Sequence, residues 1–411
     1  MNKPIRRVVV VGASLAGVRA AETLRAEELA EEIVVVGDEP HQPYDRPPLS
    51  KDVLTALEPP EVGLRNAQGL DVTWELGVGA ASLELAEQTV HLTDGRSLAY
   101  DGLVLACGAR ARVLPGTEEM ARVSALRTLD DARSLRAALV AGAERVLVVG
   151  AGFIGAEVAA SCRSRGVEVV MVEPLEQPLV RVLGAAVGSL IADLHRSNGV
   201  NVRLGVGVDS MAEDGVGGKV EVRFSDGTIE SFDHVVVGIG VVPNTGWLDG
   251  SGLTIDDGIV CDETTLAAPG VVAAGDVAGW PNPLFGELMR VEHWEHALDM
   301  GAHAARRLAT PDDQAGPYAP VPWFWSDQYD RKLQLAGRVL PTDEVVLVAG
   351  SVDDMRFCAL YGRDGKVSGV LAVNMPAKVV RYRKAIADGL TWEQAMSETE
   401  VKEPFVVGRQ G

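Results

Sequence analysis

Cysteine is scarce. The chain carries four, Cys107, Cys162, Cys261 and Cys358, with no C-x-x-C pair among them. That spacing excludes a disulfide framework and a cysteine-built zinc site, and a reducing cytoplasm is the expected compartment. Long apolar runs are also missing, since nothing approaches the ~18 consecutive residues of a spanning helix. Positive charge is in deficit, with 38 Lys+Arg against 58 Asp+Glu and a formal net charge of −20. Whole-protein attraction to nucleic acid or to an anionic membrane is therefore excluded, and any basic docking face must be local. Disorder and a collagen-like repeat fail on the 47% hydrophobic content, and 411 residues suggest roughly two to four domains. Arg6-Arg7 followed by Val8–Val11 superficially mimics a secretory signal, but the glycines that come next fit a nucleotide-binding turn better.

What the chain does have is one local plan used twice. A β-branched run leads to a Gly-rich turn, an Ala-rich amphipathic segment, a second β-branched run and an acid. The first copy reads Val8–Val11, Gly12-Ala13-Ser14-Leu15-Ala16-Gly17, helix-like Val18–Glu27, Ile33–Val36 and Asp38. The second reads Val146–Val149, Gly150-Ala151-Gly152-Phe153-Ile154-Gly155, helix-like Ala156–Arg165, Val167–Val172 and Glu173. Continuous Val runs alternating with helices predict parallel strands buried on both faces. Leu103–Ala109, Val235–Gly238 and Val271–Ala274 read as further strands, the last running on to Gly275-Asp276. Pro311–Pro322 is Pro-rich and aperiodic, which marks a boundary. Beyond it Glu344–Ala349, Phe357–Tyr361 and Val367–Val373 predict an antiparallel sheet, followed by helices near Ala377–Ala387 and Thr391–Ser397.

In such a strand-to-helix turn the first Gly permits the bend, the second lets the backbone approach a pyrophosphate, and the third lets helix and strand pack closely. The phosphates rest on N–H groups at the helix N-terminus. The second copy has all three glycines, with Glu173 about 18 residues beyond, where an acid accepts from a ribose hydroxyl. The first has Ser14 at the middle position and Asp38 roughly 20 residues past Gly17. One such turn also arises for packing alone; two in strand–turn–helix context predict two dinucleotides. A hydrolase elbow at Gly12-x-Ser14 is rejected, because Ala16 stands where that motif needs Gly.

At this point the residues resemble a known family, the FAD-dependent pyridine nucleotide-disulfide oxidoreductase fold, and within it the ferredoxin reductase branch. The likeness spans nearly the whole chain. Its most specific element is Pro43-Tyr44-Asp45-Arg46-Pro47-Pro48-Leu49-Ser50-Lys51, which is similar to the segment beside the flavin in that branch. Leu126-Arg127-Thr128-Leu129-Asp130-Asp131-Ala132, Gly275-Asp276 and Pro322-Trp323-Phe324-Trp325-Ser326-Asp327-Gln328-Tyr329 support it. Ser14, Cys107 where Thr is usual, and Trp294 at a variable position depart from it. The resemblance implies an α/β fold with two Rossmann-like dinucleotide-binding domains, glutathione reductase-like, plus a C-terminal α+β domain. Residues 1–110 and 239–320 would form the FAD-binding domain, 111–238 the NAD-binding domain and 321–411 the C-terminal domain.

By the same resemblance FAD is held by Gly12, Ser14, Ala16, Gly17, Asp38, Arg46, Lys51, Arg127, Asp276, Trp294 and Trp325. NADH is held by Gly150, Gly152, Ile154, Gly155, Glu173 and Gly240. Arg46 and Arg127 suit pyrophosphate charge, with solvated surface arginines as the alternative. Glu173 favours NADH, because a carboxylate bonds a free 2′-hydroxyl and repels a 2′-phosphate; Arg181 is the counter-candidate, for NADPH.

Flavin and nicotinamide carry the chemistry, so no protein nucleophile is needed. Disulfide-reducing relatives use a Cys pair near the first helix and NADH oxidase-like relatives a single Cys near position 45, whereas this chain has Tyr44-Asp45-Arg46-Pro47-Pro48 there. Cys107 reads as a small buried turn residue. Lys51 and Glu157 are the expected catalytic pair, each keeping the other charged, with Lys51 offsetting negative charge and Glu157 orienting the nicotinamide. An exposed Lys and a first-turn acid favoured by the helix dipole are the plainer alternative. Trp294, Trp323 and Trp325 divide between electron transfer or docking and ordinary packing. His293 and His296 lack a third ligand, so no metal is expected.

The implied activity passes electrons from NADH through FAD, one at a time, to a [2Fe-2S] ferredoxin serving a cytochrome P450 or oxygenase. A monomer or weak dimer is expected, with neither nucleic acid nor membrane as partner. Arg306, Arg307, Arg331 and Lys332 are candidates for the ferredoxin's docking face. Rival readings keep both nucleotides but change the acceptor to a quinone, monodehydroascorbate or oxygen, or make the chain a redox-sensing interaction protein similar to apoptosis-inducing factor.

Overall fold

The structure, a computed structural model, describes residues 4–213, 218–399 and 403–405. The chain divides into two compact units. The first comprises residues up to Asp45, Glu61–Arg110 and Val242–Pro322; the second comprises Arg46–Pro60, Ala111–Val241 and the chain from Trp323 onward.

In the first unit six strands lie side by side in the order Leu266–Ala268, Val271–Ala273, Gly102–Leu105, Ile5–Val11, Ala30–Gly37, Thr73–Leu76. All neighbours are parallel except the first pair. Val8, Val9 and Val10 are fully buried, which is why that run shows no alternation: a parallel strand covered on both faces has no polar side. Helix Leu15–Ala26 joins Ile5–Val11 to Ala30–Gly37. Helix Trp294–Ala309 lies against it so closely that a β-carbon on Gly301 would come 2.5 Å from the Ala16 carbonyl oxygen. Two smaller sheets belong to the same unit: an antiparallel one of Ala80–Glu84, Thr89–Leu92 and Ser97–Ala99, and a mixed one in which Ala278–Asn282 lies parallel to Ile259–Val260 and antiparallel to Glu287–Arg290.

In the second unit a five-stranded parallel sheet runs Asn201–Leu204, Glu168–Glu173, Arg145–Val149, His234–Val237, Val123–Ala125. Its dinucleotide helix, Phe153–Ser164, starts three residues earlier than the sequence predicts because Gly152 is already the N-cap. Val208–Glu213, Val220–Phe224 and Ile229–Phe232 form an antiparallel meander. The C-terminal strands appear as Glu344–Ser351, Arg356–Arg363 and Lys366–Val373, antiparallel as expected. Trp323–Gln328 and Arg331–Gly337 extend that sheet, and helices Pro376–Ala387 and Trp392–Glu398 follow it. Helix Val180–Ser197 breaks at Gly184, with φ 79° and ψ 165°, and the Tyr361 hydroxyl donates to the Leu183 carbonyl beside the break at 3.0 Å.

Segment Arg46–Pro60 belongs to the second unit because its backbone is pinned there. Ser161 Oγ donates to the Ser50 carbonyl at 2.6 Å. Arg165 donates to Leu54 O at 3.1 Å, and Arg136 caps Val53, Ala56 and Leu57 at 2.7–2.9 Å.

Candidate active site and dinucleotide turns

Both glycine turns have the geometry their chemistry needs. Gly12 has φ +123° and Gly150 φ +95°; a β-carbon would stand 2.1 Å from Ala106 O in one and 2.4 Å from Gly238 O in the other. The third glycines mark the close approach. At Gly17 and Gly155 an added β-carbon would lie 1.8 and 2.1 Å from the carbonyl oxygens of Gly12 and Gly150. Gly152 differs, since an added β-carbon meets only Gly238 O at 3.8 Å, so its backbone faces open space. Neither following helix has an acid in its first turn, and neither Ser14 nor Gly152 provides a side-chain cap. The positive helix ends are thus left for an anion, and the turns fit dinucleotide pyrophosphates. We expect Gly155→Val to cost more than about 3 kcal/mol of stability, because its side chain would have to displace backbone; a thermal melt measures it.

In the first unit Asp38 is exposed just past strand Ala30–Gly37. Asp276 sits on the 3₁₀ turn Gly275–Val277, whose Asp276 carbonyl takes a 3.0 Å hydrogen bond from Arg290. Trp294 opens its helix and donates from Nε1 to Asp45 Oδ1 at 2.6 Å. Cys107 Sγ points to Asn244 O at 3.2 Å, and burial pushes its thiol up to about 11, which makes it inert at neutral pH.

In the second unit Glu173 ends its strand and accepts from Ala151 N at 3.0 Å and from Leu175 N at 3.1 Å. Each oxygen keeps a lone pair for a ribose hydroxyl. Ile154, in the helix's first turn, is 45% exposed, an apolar side chain presented to solvent beside the turn, and Gly240 has φ +93°, with nothing within 4 Å of where a β-carbon would stand. Arg181 is exposed on the turn before the Gly184 break. Arg127 is fixed by a capping box: Asp131 N donates to Thr128 Oγ1 at 3.1 Å, while Asp131 Oδ2 accepts from Arg127 N and Thr128 N at 3.0 and 2.8 Å. The Arg127 carbonyl in turn accepts from Arg46 Nη1 at 2.7 Å. The motif around Arg127 is thus a helix start that sets two arginines side by side.

Lys51 and Glu157, distant in sequence, meet at 2.6 Å between Nζ and Oε2, with Glu157 only 4% exposed. Glu157 lies one turn inside helix Phe153–Ser164, not in its first turn, so the helix dipole does not explain it. Four groups donate to it. Lys51 Nζ and Ser50 Oγ, at 2.6 and 2.5 Å, reach Oε2; Ser326 Oγ and Asp327 N, at 2.8 and 3.3 Å, reach Oε1. Sequence spacing does not mark Ser50 and Ser326 as partners, because nothing in it says that they face one carboxylate. Trp325 packs on Trp323 at 5.4 Å and lies under Lys332 at 5.8 Å.

The four docking candidates do not form one cluster. Arg307 is 6% exposed and bound to Thr264, Thr310 and Asp312, so it is a packing residue that cannot meet a partner. Arg306 pairs with Glu27 at 2.7 Å, Arg331 with Asp330 at 3.3 Å and Lys332 with Asp327 at 3.1 Å. Among the described residues no helix is long and apolar enough to cross a membrane.

Comparison with known proteins gives the same outline. The family model described as pyridine nucleotide-disulphide oxidoreductase matches residues 6–301, and one described as reductase C-terminal matches residues 323–401. Rhodocoxin reductase of Rhodococcus erythropolis is 39% identical over 94% of this chain and 91% of its own. The ferredoxin–NAD(+) reductase component of the anthranilate 1,2-dioxygenase system of Burkholderia cepacia is 38% identical over 93% and 94%. Among solved structures, the covalent putidaredoxin reductase–putidaredoxin complex matches with a TM-score of 0.87 and 33% identity, covering 94% of each chain.

Proposed function

The chain belongs to the pyridine nucleotide-disulphide oxidoreductase family, and from that premise we propose that it is an NADH-dependent ferredoxin reductase, carrying electrons through FAD to a [2Fe-2S] ferredoxin that serves a cytochrome P450 or oxygenase. The observation that carries this reading is the Lys51–Glu157 pair, in a segment with no cysteine where disulfide-reducing relatives have theirs. Rhodocoxin reductase and the dioxygenase reductase component, 91% and 94% of whose lengths the chain covers, carry names for this work. Bound FAD supplies the conversion of a two-electron hydride donor into single-electron deliveries.

The chain's own residues bind, orient and exclude water. The turn at Gly12, with Ser14, Ala16, Gly17 and Asp38, would hold FAD, together with Asp276, Trp294, Arg46, Arg127, Lys51 and Trp325. The turn at Gly150, with Gly152, Ile154, Gly155, Glu173 and Gly240, would hold NADH. Lys51 keeps a positive charge at the reacting rings, and Glu157 fixes Lys51 Nζ in place. All four cysteines are free thiols, which suits a cytoplasmic location.

Anaerobic stopped-flow mixing tests the proposal. NADH should bleach the FAD-loaded protein rapidly, and a [2Fe-2S] ferredoxin should then reoxidise it by single electrons. A stable reduced complex with every acceptor would overturn the reductase reading in favour of a sensor, and a purified protein without flavin would overturn it altogether. Removing the Glu173 carboxylate in Glu173→Ala is expected to raise the NADH KM at least tenfold, about the worth of a hydrogen bond to a charged group, and to narrow the NADH over NADPH preference. Steady-state kinetics with both donors checks it.

A further inference from the structure

We propose that Ser161 and Ser50 are positioning residues that fix Lys51 by a two-sided grip on the bend in the chain where it stands. The proposal rests on the assignment of Lys51 made above. Glu157 and Ser161 are four apart on helix Phe153–Ser164, so they lie one turn above the other on one face. They are 4% and 6% exposed, in a stretch otherwise made of Ala, Val and Cys. Polar groups buried this far cost stability unless they are hydrogen-bonded, and both find partners on Ser50 and Lys51. Ser161 Oγ donates to the Ser50 carbonyl at 2.6 Å. Glu157 Oε2 accepts from Ser50 Oγ at 2.5 Å and from Lys51 Nζ at 2.6 Å. Arg165, the C-cap of the same helix four residues further on, continues the row with a 3.1 Å bond to Leu54 O.

Ser50 is therefore held twice, by its carbonyl from Ser161 and by its hydroxyl from Glu157. The residue after it is a joint. Lys51 closes the 3₁₀ turn Pro47–Ser50 and opens the short helix Asp52–Thr55, with φ −124° and ψ −103° that belong to neither element. Backbone bonds secure the joint to its own segment, from Lys51 N to Pro48 O at 3.1 Å and from Leu54 N to Lys51 O at 2.9 Å. Neither of them ties it to the helix that carries Glu157, which is what Ser161 and Ser50 do.

The consequence falls on the ammonium. Lys51 Nζ also donates to the Pro47 carbonyl at 3.2 Å, so two of its three protons are used within the protein. The stand of the joint then sets the direction of the third. Releasing the Ser50 carbonyl lets the joint move while Glu157 still draws the ammonium, so Lys51 is shifted rather than lost. A misplacement of about 1 Å costs up to about 100-fold at a reacting centre, and a partial one costs less.

Ser161→Ala tests the grip in the FAD-loaded enzyme. The expected result is about tenfold slower bleaching at saturating NADH with half-saturation within about twofold, and near wild-type rates in Ser161→Thr, which keeps the hydroxyl. Ser50→Ala removes the Glu157 side of the grip, leaves the carbonyl side in place and should show the same split. Added to Lys51→Met, Ser161→Ala should cause no further loss. The flavin midpoint potential gives a readout besides turnover: Ser161→Ala should shift it in the same direction as Lys51→Met does, and should leave it unmoved once Lys51 is already Met. A lower melting temperature with rate and potential unchanged, or an additive loss on top of Lys51→Met, would overturn the proposal and leave Ser161 as a tie for the segment. No loss from Lys51→Met itself would overturn both the proposal and the assignment of Lys51.

Discussion

Lys51→Met is expected to slow NADH-dependent bleaching of the FAD-loaded enzyme by about 100-fold, the loss typical of removing one preorganised charge from a reacting centre. Methionine keeps most of the stem length and removes only the ammonium, which stands 2.6 Å from Glu157 Oε2 and 3.2 Å from the Pro47 carbonyl. FAD content should fall much less than the rate, because the glycine turn and Asp38 that would hold FAD lie in the other unit and are unchanged. Stability should fall by about 3 kcal/mol, the lower end of the cost of stripping one partner from a buried pair, since Ser50, Ser326 and Asp327 N–H still donate to Glu157. Adding Glu157→Leu removes the stranded charge and should recover most of the melting temperature without recovering the rate. A rate that recovers together with stability would reduce the pair to a structural tie.

The dinucleotide halves were legible because their signals are local. A glycine with φ +123° at Gly12, a close approach at Gly17 and a Val run with no polar side each leave a mark within a few residues. The C-terminal strands were legible from their apolar runs. Other features depend on contacts that no spacing encodes. Arg307 looks like a solvated helix-end charge until its helix packs and buries it beside Thr264. Helix Val180–Ser197 was missed because Gly184 breaks its period, and Tyr361, far along the chain, meets the carbonyl beside the break. The contact of Lys51 with Glu157 was legible from their two motifs, but the serines that also bond Glu157 were not, since Ser50 and Ser326 come together only once the sheet carrying Ser326 is built.

Acid should unfold this protein well above the pH at which its carboxylates titrate. His195, His234 and His296 are 1%, 2% and 4% exposed, and loss of hydration holds them down to about 4, about 4 and about 3. In the unfolded chain each returns to about 6.5. Between those limits the unfolded state binds more protons than the folded state, so stability rises with pH through the window. It is complete above about pH 6.5 and falls as pH drops toward 4, by up to about 1.4 kcal/mol per pH unit for each imidazole. His195 and His234 both belong to the second unit, which at pH 4.5 would lose about 5 kcal/mol on this account, comparable with the whole stability of many domains. Ion-paired carboxylates such as Asp226, depressed to about 2 by Thr228 and Arg203, act below that window and leave its slope unchanged. Melting temperatures taken from pH 7.5 down to 4.5 should therefore fall steeply below 6.5, and His234→Gln, whose amide reaches as far as the imidazole Nε2 that now meets Ser124 at 2.8 Å, should flatten the slope. A flat profile across that range would mean that these imidazoles take up protons in the folded protein as readily as in the unfolded chain.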